Sequence, residues 1–587
     1  MRRYSARMRR SVDRGSVGQP LSSEITTIRV PTAWSGWEGN TGSGINQLAT
    51  SRPCGVREPV HAWTLYVREP GDLRDLRQAV QKPERLEKAC GYTSNAYVTE
   101  KSDTNIVPEK EPNNAVLSQD SSGGSGGKGG DQGEFLRSTP VTCTQRQEQT
   151  LRGLDRIRVA AAKDKSLRFT NLMHHITVDL LRDSYKSLKR DAASGIDNVT
   201  WKEYGEKLEI SLVELHKRVQ SGRYRAMPSK RIWIPKPDGR ERPIGIATLE
   251  DKVVQHAVVQ VLNQIYEETF LGFSYGFRPG RQQHNALDAV WVGIMQRKVG
   301  WVLDADISGF FDAIEHGWLM KFVEHRVADP GMLNLIRKWL RAGVSEEGQW
   351  SKTEVGTPQG AVISPLLANI YLHYVLDLWV NQWRKGAHGD VIIIRYADDW
   401  ITGFQYQNEA IRFRQELQER LAKFGLEMHN EKTRLLEFGR FASANRAKRG
   451  DGKPETFDFL GFTHICARTR KNNRFTVRRK TIAKRLRAKI KAVREEIKKR
   501  MHTPVPSQGK WLRSVIIGHL NYYAVPGNRK SVDTFRTEVI RSWFRALRRR
   551  SQKGCNLTWE RIKRLVRTWL PTARIKHPYP NQRLCVI

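Results

Sequence analysis

Residues 391–404 read Val-Ile-Ile-Ile-Arg-Tyr-Ala-Asp-Asp-Trp-Ile-Thr-Gly-Phe, and this string limits the available folds more than any other in the chain. Each half is a continuous apolar run of strand length. The acidic pair Asp398-Asp399 stands where the first strand must reverse into the second, which predicts a hairpin carrying two carboxylates at a sheet end. Upstream, Trp301-Val302-Leu303-Asp304-Ala305-Asp306-Ile307 alternates like a third strand and closes on another acid, Asp306. Taken alone, Asp-Asp in a turn is equally explained by the turn preference of aspartate. Acids at the ends of rigid strands are also what phosphoryl transfer requires, because two hard divalent cations demand carboxylates held in place.

Charge narrows the partner. Lys and Arg total 100 against 61 Asp and Glu in 587 residues, a formal net charge of +39. A compact surface this positive attracts polyanions at long range, so nucleic acid is the expected partner. Small basic architectural proteins share the charge, but this chain is 39% hydrophobic with 17 Trp and can bury a large interior. Its six cysteines form no Cys-x-x-Cys pair, which points away from zinc and from a disulfide framework and toward a reducing compartment. No apolar run approaches the ~20 residues needed to span a bilayer. The start, MRRYSARMRRSV, is Arg-rich and free of acids, a pattern shared by organelle transit peptides and by basic RNA-binding proteins. A cytoplasmic, bacterial setting is expected, with an organelle as the alternative.

Residues 1–152 show weak periodicity and lead into the Gly/Ser run at 121–130, so they are expected to be a mostly disordered extension with a flexible linker. Helical patterning begins around Gln147, and the ordered protein is expected over 153–587. Lys230 to Pro235 and Arg242 to Ile246, joined by Lys236-Pro237-Asp238-Gly239, predict a basic hairpin. Near the C-terminus, Ile482, Leu486, Ile490, Val493 and Ile497 recur at helical spacing through 478–500, a span with twelve basic and two acidic residues. That predicts a helix with one apolar stripe and one basic face. Strands separated by helices give an α+β core.

Several of these strings resemble a known family. Tyr396-Ala397-Asp398-Asp399, and Asp306-Ile307-Ser308-Gly309-Phe310-Phe311-Asp312 upstream, are similar to the palm signature of reverse transcriptases. Residues 356–370, GTPQGAVISPLLANI, and 273–281, FSYGFRPGR, resemble blocks of the group II intron enzymes, as do Asn430-Glu431-Lys432-Thr433 and Phe459-Leu460-Gly461-Phe462. Residues 192–200, AASGIDNVT, are similar to the N-terminal extension block of group II and non-long-terminal-repeat enzymes, and residues 518–523, GHLNYY, to the maturase motif of the thumb. Five or more blocks in the family's order leave chance agreement negligible.

The resemblance implies a right-hand polymerase of fingers and palm (153–465), an α-helical thumb or maturase domain (466–550) and a basic, DNA-binding-like tail (551–587). It implies two magnesium ions on Asp306, Asp398 and Asp399, with the carbonyl of Ile307 as a further ligand, and Asp304 outside the metal shell. Lys236 and Arg242 would clamp the triphosphate, Gln359 would touch the nucleotide, and Phe311 would exclude a 2′ hydroxyl by shape. Lys432 would protonate pyrophosphate. Arg478, Arg479, Lys480, Lys484, Arg485 and Lys489 would meet RNA phosphates. The implied partners are group II intron RNA, an RNA template with a DNA primer, dNTPs and target DNA, with no membrane. The oligomeric state is open, a dimer among the options. No Cys/His cluster of the family's endonuclease follows the thumb-like region, which implies a primer from elsewhere. The rival readings are a splicing-only maturase and a domesticated reverse transcriptase in phage defence.

Overall fold

The computed structural model describes residues 65–67, 143–235, 241–353, 355–357 and 359–586, all within the unit Val60–Ile587. Helix α1 (Cys143–Lys163) is the first long element, followed by α2 (Val178–Ser187) and α3 (Leu208–Gln220). A domain boundary at 152 therefore falls inside a helix, and the ordered region reaches back at least to Cys143. The Gly/Ser run lies outside the described residues.

The predicted basic hairpin forms as β1 (Ser229–Pro235) and β2 (Glu241–Ile246), with Ile232 opposite Ile244 and Ile234 opposite Arg242. Its turn, including Lys236, lies outside the described residues. Helix α4 (Leu249–Tyr266) follows, capped by Thr248, whose hydroxyl accepts from the Asp251 N–H. It is buried almost all round, Val253, Val254, Ala257, Val258, Val261 and Leu262 being each 0% exposed, and α1 and α2 pack on it. Next come α5 (Gln283–Gln296), β3 (Trp301–Ala305), β4 (Val344–Glu346) and β5 (Gln349–Ser351). Strands β2-β1-β4-β5 make one sheet, with β1 and β4 parallel.

Helix α6 (Ser364–Leu372) runs through one π-helical turn, His373–Asp377, into α7 (Leu378–Trp383). The apolar string then forms β6 (Val391–Tyr396) and β7 (Asp399–Phe404), followed by α8 (Gln407–Ala422) and β8 (Arg434–Glu437). Strands β6-β7-β3-β8 make an antiparallel sheet. Both of its faces are covered, which is why β6 and β7 read as continuous apolar runs. Leu303, Ala305, Ile393, Trp400 and Phe404 join the core that contains α4 and α6. Val302, Ile392, Ile394, Ile401 and Leu436 join a second core on the other face, shared with the C-terminal elements. Burying one such side chain contributes ~1.5–3 kcal/mol.

The C-terminal half departs from its sequence reading. A second antiparallel sheet, β9 (Thr456–Phe459), β10 (Phe462–Arg468) and β11 (Phe475–Thr481), precedes four helices: α9 (Ala483–Lys499), α10 (Val505–Tyr523), α11 (Arg529–Arg549) and α12 (Trp559–Trp569). A boundary at 465/466 thus cuts β10. The basic helix expected from Arg478 begins only at Ala483, because residues 475–481 pair with β10, Arg479 opposite His464. On a strand the period is two, so Val477, Arg479 and Thr481 are buried while Arg478 and Lys480 are exposed. The apolar stripe of α9 is as expected, Val493 and Ile497 being buried and Leu486 and Ile490 partly so. The tail is folded onto this core: Ile562, Val566 and Leu570 are buried, and the His577 ring stacks on His284 of α5 at 3.9 Å.

Candidate active site

Asp399 opens β7 and pairs with Tyr396, so Ala397 and Asp398 are the two loop residues of the hairpin. Ala397 has φ +57°, a left-handed conformation that a non-glycine residue adopts at a cost. Three contacts hold it there. The Arg395 guanidinium, 0% exposed, donates to the Ala397 carbonyl at 2.9 Å. Residues 273–276 run beside β6, with the Tyr275 N–H on the Arg395 carbonyl at 2.8 Å and the Arg395 N–H on the Phe273 carbonyl at 2.9 Å. Gly276 lies so close that a Cβ there would stand 2.2 Å from the Ala397 nitrogen, so any side chain would displace the turn.

Asp306 follows the last residue of β3. Ala305 is opposite Trp400, so Asp306 and Asp399 each adjoin the last paired residues of β3 and β7. Asp304 lies opposite Ile401, and Asp399 stands two residues before Ile401, so Asp304 and Asp399 share a face of the sheet. Asp306 is braced from behind: its carbonyl accepts from His429 N–H at 2.8 Å, and Ser308 N–H donates to Glu427 at 2.8 Å. Ile307 is buried and bridges Met428. Asp304, two residues back, pairs across to Arg434 at 3.3 Å. Burial pushes its carboxyl up to about 6; Arg434 opposes that and the charge of Asp399 adds to it.

These acids fit divalent cations in donor chemistry, being hard oxygens on rigid strand ends, one of them 26% exposed. Among the described residues, no group of three or more His, Cys, Asp or Glu side chains is gathered at metal-binding spacing. One cation is nonetheless held: Lys432 Nζ lies 2.6 Å from Asp306 Oδ2.

Of the predicted nucleotide residues, Arg242 and Gln359 meet from separate elements. Arg242 of β2 donates from Nε to Gln359 Oε1 at 2.7 Å, and the Gly245 N–H donates to the Gln359 carbonyl at 2.7 Å. Gly360, φ +110°, leaves no room for a side chain, since a Cβ would stand 2.8 Å from the Gly245 oxygen. The Gln359 amide faces Asp312 at 3.5 Å. Phe310 is core at 3% exposure, whereas Phe311 is half-buried, edge-on to Phe310 with ring centroids 5.3 Å apart.

The basic residues assigned to RNA do not form one set. Arg478, Lys480, Lys484 and Arg485 are exposed and Lys489 is half-buried. Arg479 is 1% exposed and bonds Asp288 of α5 at 2.7 Å, so it is unavailable to phosphate. Arg583 from the tail pairs with the same carboxylate.

Sequence reasoning passed over Arg395, Asn369 and Asp377. Arg395 donates to both Asp377 oxygens, at 2.7 and 2.5 Å, and to Asn369 Oδ1 at 3.0 Å. Asn369 in turn donates to the Gly276 carbonyl at 2.7 Å. The available signal was a lone arginine inside an otherwise apolar strand, which must have a buried partner.

Residues 234–464 match the family model described as reverse transcriptase (RNA-dependent DNA polymerase). The chain is 34% identical over 288 residues to Protein YkfC of Escherichia coli, covering 43% of this chain and 76% of that protein. It is 36% identical over 243 residues to Group II intron-encoded protein LtrA of Lactococcus lactis, covering 40% of this chain and 39% of LtrA. It is also 40% identical over 167 residues to the Uncharacterized 91 kDa protein in cob intron of Schizosaccharomyces pombe, covering 28% of this chain and 20% of that one. No described helix is long and apolar enough to cross a membrane. With its matching blocks carried by the paired strands β3 and β7, the chain belongs to the group II intron-encoded reverse transcriptase/maturase family.

Proposed function

We propose that this protein copies RNA into DNA, and that it also binds its group II intron RNA to assist splicing and mobility. The observation that carries the reading is the antiparallel pairing of β3 with β7, which puts Ala305, next to Asp306, opposite Trp400, next to Asp399. Two magnesium ions bound by Asp306, Asp398 and Asp399, with the Ile307 carbonyl, would activate the primer 3′ hydroxyl and stabilise the leaving pyrophosphate.

The remaining work falls to the chain. Arg242, steadied by Gln359 at 2.7 Å, supplies a fixed cation for the triphosphate, and Lys236 adds a second. Gln359 also lies against the incoming base. The half-buried ring of Phe311 fills the space a 2′ hydroxyl would need, selecting deoxynucleotides by shape. Lys432, already within 2.6 Å of Asp306, is near enough to the chemistry to give a proton to pyrophosphate.

The fold is that of a right hand in which the β6-β7-β3-β8 sheet is the palm, the β1-β2 hairpin belongs to the fingers and α9 to α11 form the thumb. Exposed Arg478, Lys480, Lys484 and Arg485 contact the RNA backbone, and α12, with Arg561, Lys563, Arg564 and Arg567 exposed, serves target DNA. Splicing is assisted by stabilising the folded intron.

Primer extension on poly(rA) with oligo(dT), dTTP and magnesium tests the reading. The wild type is expected to extend, and Asp398→Ala with Asp399→Ala to lose extension by at least about 1,000-fold with unchanged RNA affinity. A folded, RNA-binding wild type that does not extend would favour the splicing-only alternative.

A further inference from the structure

The turn that carries Asp398 is held from within the protein rather than from the cleft. Arg395 bonds Asp377 twice, Asn369 once and the Ala397 carbonyl once, with both charged partners 0% exposed. Such a pair contributes little net stability compared with apolar packing, so its retention calls for another reason. The backbone of the supporting helix is itself distorted to make it. Asn369 and Asp377 are eight residues apart, which in a regular α-helix at about 100° per residue would put them about 80° apart around the axis. The π turn at His373–Asp377 absorbs one extra residue. That reduces the offset to about 20°, so both side chains reach one guanidinium.

We infer that Arg395, aimed by Asp377 and Asn369, is the positioning residue that fixes the left-handed Ala397 turn and so sets Asp398 for divalent metal. The same Asn369 ties the turn to Gly276, whose backbone closes its other side. A planar fork is needed, because four hydrogen bonds to acceptors on three separated residues fix both position and direction. This inference rests on the polymerase reading above for its consequence, although not for its geometry.

Arg395→Lys tests it, since lysine keeps the buried charge beside Asp377 but lacks the fork. Mn2+ binding followed by EPR is expected to weaken about tenfold, and the Mg2+ concentration for half-maximal extension to rise by a similar factor. Template-primer affinity should change by less than about twofold, because no phosphate contact is altered. Asn369→Ala leaves the ion pair whole, and so carries the same test where the lysine variant does not fold. Unchanged Mn2+ binding in a folded variant would overturn the inference, as would a loss of template affinity equal to the loss of metal affinity, the mark of general misfolding. A wild type without extension would sink the polymerase reading alone, while the EPR titration still decides this one.

Discussion

Arg395 and Arg479 are both strand arginines buried to within 1% of complete exclusion, each bonded to an aspartate on a neighbouring helix. Arg395 spends its remaining donors on the turn that presents Asp398. Arg479 instead joins the β9-β10-β11 sheet to α5, and the tail closes over the pair through Arg583. The same chemistry thus positions a reactive loop in one region and fastens the C-terminal elements in the other. What differs is the geometry of the partner, a backbone carbonyl in a strained turn against a second cation from a distant segment.

Breaking the fastening should have the largest effect. Arg479→Met leaves the Asp288 carboxylate buried beside Arg583 alone, and a loss of about 3–5 kcal/mol in unfolding free energy is expected in denaturant titration. A change below about 1 kcal/mol would mean that Arg583 suffices to neutralise Asp288.

Acid separates the two regions next. Burial holds the His464 imidazole down to about 3, with Arg479 adding to the effect, and His284 down to about 4. For such groups the unfolded chain binds more protons between the ordinary value and the lowered one, so their stability is present above about 6.5 and is lost as pH falls toward 4 and 3. Asp304 runs the other way. Its carboxyl is raised to about 6, so the folded state binds the extra proton and stability falls as pH rises from 3.8 through 6. Hydrogen-exchange protection, referred to the intrinsic rate at each pH, should therefore fall between pH 7 and 4.5 in β10 and β11 and hold or rise in β3; a uniform response across both sheets would contradict the contrast.

Smaller effects follow at exposed positions. Arg478→Ala with Lys480→Ala, on the outward face of the strand that buries Arg479, should leave the unfolding midpoint unchanged. The slope of log affinity for duplex RNA–DNA against log salt should fall by about 2. Lys484→Ala alone should lower that slope by about 1, the least of these changes, and an unaltered slope would remove it from the interface.

Much of this was legible in the chain itself. The hairpin with Asp398 and Asp399, the strand ending at Asp306 and the basic β1-β2 hairpin each announce themselves by local periodicity and turn chemistry. The pairing of Arg242 with Gln359 was not visible, because the two are 117 residues apart and nothing local links them. Arg479 misled for a different reason: a basic run before an amphipathic helix reads as more of the helix, and only pairing with β10 imposes the period of two that turns one arginine inward.

The sequence by itself determined that acids would stand at strand ends in a large, strongly cationic α+β protein, because periodicity, turn preference and net charge are properties of neighbouring residues. The tertiary structure alone decided which of the many cations serve the interior. Burial of Arg395 and Arg479 depends on where Asp377, Asn369 and Asp288 arrive in space, and in the first case on a helix that accommodates one extra residue. A charge leaves water only where such partners are already assembled, and that assembly is a property of the whole fold.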